Sequence, residues 1–134
     1  LGNLDLQADL GMICDAQETE LQTARYQIVL ASRLARITPP VDGVTPSTDD
    51  LPRITDDAER AKRMGFGAKL CIHPKQVAIV QAAFMPTEEE IQWAQRVIEA
   101  DQSSKGCAVK LDGKMIDRPV VLLAKRTLAI AGKH

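Results

Sequence analysis

The chain has 134 residues, of which 45 % are hydrophobic and 26 % charged; this is the make-up of a globular domain and excludes a disordered or fibrous one. Seventeen basic and eighteen acidic residues (17 and 18) leave a net charge of −1 spread along the sequence, so the electrostatic footprint of a nucleic-acid binder is missing. Cys14, Cys71 and Cys107 form no CxxC pair, which argues against a disulfide framework or a zinc site and fits a reducing cytoplasm. No apolar run is long enough to span a bilayer, and no membrane partner is expected.

Leu1 opens directly into Gly2-Asn3-Leu4-Asp5 without an initiator methionine, and the start reads as cut. Between Glu18 and Arg36, Leu21, Ala24, Ile28, Ala31 and Ala35 recur at helical spacing, and Pro39-Pro40 ends that helix. Val41-Asp42-Gly43-Val44 reads as a short buried strand. A second helix is predicted from Asp50 to Met64, with Ile54, Ala58 and Ala61 on one side and Gly65 as its stop. Ala68 to Ile72 is the next strand; His73-Pro74 closes it and opens a helix carrying Val77, Val80 and Phe84. Thr87 and Glu90 form a capping box for a helix running to about Asp101. After a polar break at Gln102 to Gly106 the pattern changes. Cys107–Leu111 and Lys114–Ile116 flank Asp112-Gly113, a strong hairpin signal, and Asp117-Arg118-Pro119 starts a last helix.

Alternating strands and helices indicate a parallel sheet with crossover helices, and such folds place their chemistry at the C-terminal ends of the strands. Asp42 and His73 stand at those ends. Taken singly, each candidate also has a plainer role. Asp42 precedes Gly43 and suits a turn, His73 suits a structural histidine, and Asp117 stands where an N-cap is expected. Asp5, Asp9 and Asp15 lack the ligand order of a calcium loop. Lys69 is either a buried cation or an outward-facing strand residue. Tyr26 and Trp93 are expected to pack against helices. The sequence contains no glycine-rich phosphate loop, GxSxG elbow or HExxH.

Four segments together carry a resemblance: Gly2-Asn3-Leu4-Asp5-Leu6, Asp42-Gly43-Val44-Thr45-Pro46, Gly67 to Val77 (GAKLCIHPKQV) and Asp112 to Pro119 (DGKMIDRP). In order and spacing they resemble the second half of the citrate lyase beta-subunit family, which includes malyl-CoA and citramalyl-CoA lyases within the HpcH/HpaI aldolase group. The resemblance implies an α/β fold, the C-terminal portion of a (β/α)8 barrel followed by a hairpin-helix lid. Residues 1–101 would run from the end of the sixth strand through the helices after the eighth, and residues 102–134 would form the lid. A full barrel takes roughly 250 residues, so about half would lie outside this chain.

The implied reaction is a magnesium-dependent cleavage of a 3-hydroxyacyl thioester, on CoA or an acyl-carrier protein, into an acyl thioester and a 2-oxo acid. Asp5 maps onto the family's magnesium-binding Asp, Asp117 onto the lid carboxylate that moves the proton, and Asp42, Ile72, His73 and Pro74 onto the substrate pocket. The family's second magnesium ligand, a Glu, and its carboxylate-gripping Arg have no counterpart in this sequence. The 134 residues alone are therefore expected to be inactive. Related lyases exchange lids between subunits, implying a homotrimer or another homo-oligomer. Two readings stay open beside the lyase: a hydroxy-acid aldolase that needs no thioester, and a silent assembly subunit.

Overall fold

The computed structural model describes residues 1–103 and 109–132, Val109 by its backbone only. Much of the expected polar break, together with Cys107, lies outside the described residues. The chain divides into two compact units, Leu1–Phe84 and Met85–His134.

The first unit opens with helix α1 (Asn3–Leu10), which ends at Gly11 with φ 64°. The Leu6 N–H donates to the Gly2 carbonyl at 2.9 Å and closes the first helical turn, while the Leu1 nitrogen just before the helix donates to the Val41 carbonyl at 2.7 Å. A 3₁₀ turn at Thr19–Leu21 leads into helix α2 (Gln22–Leu34).

The buried side of α2 also differs from the predicted stripe. Leu21, Arg25 and Ser32 are buried, Ala31 and Ala35 are exposed, and Tyr26 is 61 % exposed and not packed. A guanidinium takes the place of the predicted alanine face because carboxylates wait for it inside, as described below.

Strands β1 (Val41–Asp42) and β2 (Ala68–Lys69) pair in parallel, Val41 opposite Ala68 and Asp42 opposite Lys69. Helix α3 (Leu51–Met64) connects them, and helix α4 (Pro74–Phe84) follows β2. This is the crossover arrangement the alternating pattern predicts, although each strand is only two residues long. Helix α3 begins and ends where the sequence places it. The Asp50 carboxylate accepts the Arg53 N–H at 3.1 Å, and Gly65 stops the helix at φ 95°. Ile54 and Ala58 pack against Val80 of α4, with Cys71, Ile79, Ala83 and Phe84 around them.

The second unit contains helix α5 (Glu88–Ser103), strands β3 (Val109–Leu111) and β4 (Lys114–Ile116), and helix α6 (Arg118–Ile130). Helix α5 thus groups with the hairpin and α6, and the compact units divide at 84/85, earlier than the 101/102 boundary read from sequence. The reason is apolar packing: Ala94 and Val97 of α5 share one core with Ile116, Val121 and Ala124, and Trp93 packs beside it. The capping box forms as expected, with Thr87 and Glu90 exchanging hydrogen bonds of 2.9 and 3.2 Å. At the hairpin tip Asp112 and Gly113 take φ of 50° and 77°, the left-handed pair that a two-residue turn between twisted strands requires. Arg96 of α5 reaches the Asp112 carboxylate at 2.9 Å. Among the described residues no helix is long and apolar enough to cross a membrane.

Candidate active site

The polar interior of the first unit gathers at the C-terminal ends of β1 and β2. Strand alternation turns Val41 and Ala68 outward and Asp42 and Lys69 inward. Asp42 is fully buried, and both its oxygens accept from Arg25 Nε, at 3.0 and 3.1 Å. Arg25 also pairs through Nη2 with Glu18. Arg60 joins Glu18 at 3.0 Å and Asp57 at 2.9 Å, while Asp57 also takes Arg53 at 3.1 Å and the Thr45 hydroxyl at 2.8 Å. Four cations, counting Lys69, therefore surround three buried carboxylates, with Arg53 and Arg60 at the partly exposed edge. Such a cluster fixes geometry more than it stabilises, because desolvation offsets much of the Coulombic gain.

The environment shifts these groups in opposing ways. Burial pushes the Glu18 carboxyl up, but the Asn3 and Arg25 hydrogen bonds and the charges of Arg25 and Arg60 outweigh it and hold it below its ordinary value. Burial dominates at Lys69 and lowers its ammonium below the usual lysine range, against the pull of Asp42 and Asp57. The Lys69 Nζ donates to the Gly43 carbonyl at 2.7 Å. This settles the question left open by the sequence: Lys69 is a buried cation, 7 % exposed.

Helix α1 is fastened to this region by Asn3, which is also buried. Its Oδ1 accepts the Val44 N–H at 2.9 Å, and its Nδ2 donates to the Val44 carbonyl and to Glu18, each at 2.9 Å. The side chain crosses so close to Gly43 that a Cβ there would meet Asn3 Oδ1 at 2.1 Å, which explains the glycine. Asp5, two residues after Asn3 on the same helix, is exposed.

After β2, Ile72, His73 and Pro74 are exposed. The Lys75 N–H donates to His73 Nδ1 at 3.2 Å, so in the neutral ring the hydrogen sits on Nε2. Gln76, 1 % exposed, ties the Ile72 N–H to the carbonyls of Thr45 and Ser47.

The structure thus links Asp5, Asp42 and the Ile72-His73-Pro74 segment through Asn3, Lys69 and Gln76, all within the first unit. Asp42 itself is enclosed by Arg25. Asp117 belongs to the second unit, where it is exposed and its Oδ1 accepts the Val120 N–H at 3.2 Å, making it the N-cap of α6. Sequence reasoning missed Asn3, Glu18, Arg25, Asp57, Arg60 and Gln76. A signal existed for two of them: Arg25 and Asp57 interrupt apolar helical stripes at positions facing inward.

Among the described residues no three His, Cys, Asp or Glu side chains come together to hold a metal ion. Asp5 offers one carboxylate, which fits a single position in the shell of an ion such as magnesium, where water and substrate oxygens supply most ligands.

A profile of the HpcH/HpaI aldolase/citrate lyase family matches residues 1–74. The chain belongs to that family. It is 32 % identical over 134 residues to the mitochondrial citramalyl-CoA lyase of Mus musculus, covering 97 % of this chain and 39 % of the relative. It is 34 % identical over 135 residues to the (3S)-malyl-CoA thioesterase of Cereibacter sphaeroides, covering 98 % and 47 %. The solved structure of CitE from Mycobacterium tuberculosis, in complex with magnesium, acetoacetate and coenzyme A, superposes with a TM-score of 0.85 at 30 % identity. That match covers 98 % of this chain and 51 % of the other. The chain spans less than half the length of the curated relatives it matches.

Proposed function

We propose that the protein carrying this chain is a magnesium-dependent carbon–carbon lyase that splits a 3-hydroxyacyl thioester into an acyl thioester and a 2-oxo acid. The observation that carries this reading is the likeness, over 98 % of the chain, to a structure holding magnesium, acetoacetate and coenzyme A. The citramalyl-CoA lyase relative supports a CoA thioester as substrate. In this reading the first unit is the closing part of a (β/α)8 barrel, and the hairpin and α6 form a lid that completes a neighbouring subunit's site in a homotrimer or other homo-oligomer.

A bound magnesium ion would supply Lewis acidity at the hydroxyl oxygen that becomes the carbonyl, with Asp5 as this chain's one ligand. Asn3 holds the helix that presents Asp5. Asp42 acts through Arg25 and Lys69 as a positioning residue at the strand ends and not as a substrate contact. Ile72, His73 and Pro74 face the thioester side, with the His73 Nε2–H as a donor. As the carbon–carbon bond breaks, the hydroxyl gives up its proton to solvent while its oxygen becomes the carbonyl, the bond's electron pair passes to the thioester as an enolate, and the α-carbon must gain a proton. Asp117 is the group to deliver it, or to remove it in the condensing direction. The Val120 N–H occupies Oδ1, which leaves Oδ2 for the proton.

A second reading is thioester hydrolysis, favoured by the malyl-CoA thioesterase relative. One experiment separates the two. The full gene product is incubated with magnesium and malyl-, citramalyl- or citryl-CoA, and both the 2-oxo acid and the free CoA thiol are assayed. The lyase yields a 2-oxo acid with the acyl thioester intact, whereas the hydrolase yields free CoA and a hydroxy acid. Turnover of the free hydroxy acid at the same rate would sink the thioester reading in favour of a simple aldolase. Absence of every product would favour a silent assembly subunit.

A further inference from the structure

With one buried amide, Gln76 spans the loop after β1 and the loop after β2. Its Oε1 accepts the Ile72 N–H at 2.9 Å, and its Nε2 donates to the Thr45 and Ser47 carbonyls, each at 2.9 Å. One acceptor and two donors are used at once, a set that a carboxamide provides and neither a carboxylate nor an alkyl group can copy. Loop backbone groups withdrawn from water need these partners, so the two loops are held at the length of this side chain. A second link, Lys75 Nζ to Asp49 at 2.9 Å, joins side chains that are 62 % and 78 % exposed, where an ion pair constrains little.

We propose that Gln76 is a positioning residue for thioester binding: it fixes the separation of the 45–47 and 72–74 loops and so presents Ile72, His73 and Pro74 to the substrate. This rests on the thioester reading above. Gln76 touches no reacting atom, so its loss acts on binding and leaves the proton-transfer step alone. A displacement of the order of 1 Å in a positioning loop is enough to cost tenfold or more in a substrate-dependent step.

The test uses the full gene product and whichever of malyl-CoA and citramalyl-CoA it turns over, with coenzyme A itself as a second probe. Gln76→Ala is expected to raise KM and the coenzyme A Kd about tenfold, with kcat changed by less than about twofold. Gln76→Glu supplies the sharper readout. When ionised it turns negative charge on two carbonyls and behaves no better than Ala. When protonated it again accepts from Ile72 and donates to one carbonyl. Burial raises the pKa of such an acid, so its KM relative to wild type should recover as pH falls from about 8 to about 5.5, while Gln76→Ala stays flat.

Hydrogen exchange guards against a folding artefact: the Ile72 amide should exchange faster in Gln76→Ala, which has no acceptor for it, while the α3 amides keep their protection in both variants. The inference is overturned if folded Gln76→Ala binds coenzyme A within twofold of wild type, or if Gln76→Glu tracks Gln76→Ala at every pH. Failure of the wild-type protein to bind or turn over any CoA thioester is a different result; it removes the thioester reading and this inference with it.

Discussion

The two compact units solve the problem of a small interior in opposite ways. In Leu1–Phe84 the space at the strand ends is filled by Arg25, Asp42, Asp57 and Lys69 with their partners; in Met85–His134 it is filled by Ala94, Val97, Ile116, Val121 and Ala124. Apolar packing is non-directional and tolerates small adjustments, whereas a buried guanidinium between two carboxylates has one good arrangement. The ionic interior therefore sits under the segments proposed to bind metal and thioester, where geometry matters. The apolar interior sits under the hairpin, where Asp117 needs only a firm base.

The comparison breaks most visibly at Arg25. Arg25→Ala strands the buried Asp42 without its guanidinium and leaves Glu18 paired with Arg60 alone, and a loss of about 3–5 kcal/mol is expected. Urea denaturation measures it, and amide exchange should place it in α2 and β1 while α5 and α6 are unaffected. Acid should separate the units next. The Glu18 carboxyl is held below its ordinary value of 4.5, so its contribution is fully present above that pH and is lost as pH falls through the lower folded value. Exchange protection in α2 and α3 should therefore decline below about pH 4.5 before that of α5 and α6, and an equal decline in both units would contradict the contrast.

Gly43→Ala is smaller, about 1–3 kcal/mol, because the new methyl must displace the Asn3 amide. Its partial rescue by Asn3→Gly in a double-mutant cycle would tie the cost to that contact and not to backbone strain. At the low end, Asp117→Ala removes a helix cap and should cost about 1 kcal/mol in the second unit only, whereas Asp117→Asn keeps the cap. Lyase activity lost in Asp117→Asn at unchanged stability would assign the carboxyl to proton transfer; retained activity would leave it a cap alone.

Much of this architecture is written locally. The cap at Asp117, the stop at Gly65, the Thr87–Glu90 box and the Asp112-Gly113 turn each depend on residues within a few positions of one another, and each forms where the sequence predicts. The strands were legible as places, but their length was not: β2 stops at Lys69 although the apolar run continues to Ile72, because Gln76 takes the Ile72 N–H that a longer ladder would use. Helix α1 was not predicted, because its apolar residues carry no clear stripe and Gly2 offers no side-chain cap. The ionic cluster was illegible for another reason. Glu18, Arg25, Asp42, Asp57 and Arg60 come from three separate stretches of the sequence, and each in isolation looks like a solvated charge. The candidate residues divide the same way: Asp5, His73 and Asp117 are proposed from motifs, whereas Asn3, Arg25 and Gln76 come into view only through their contacts.

The brevity of β1 and β2 has a consequence for anyone who would move these loops to another scaffold. A two-residue ladder carries almost no information about register, and a slip by one position would expose Asp42 and Lys69 and bury Val41 and Ala68 in their place. What forbids the slip is side-chain carpentry: Asn3 across Val44, Lys69 into the Gly43 carbonyl, Gln76 between the loops. A graft that copied the strands and the exposed motif but left those three behind would inherit the sequence of the site without its alignment.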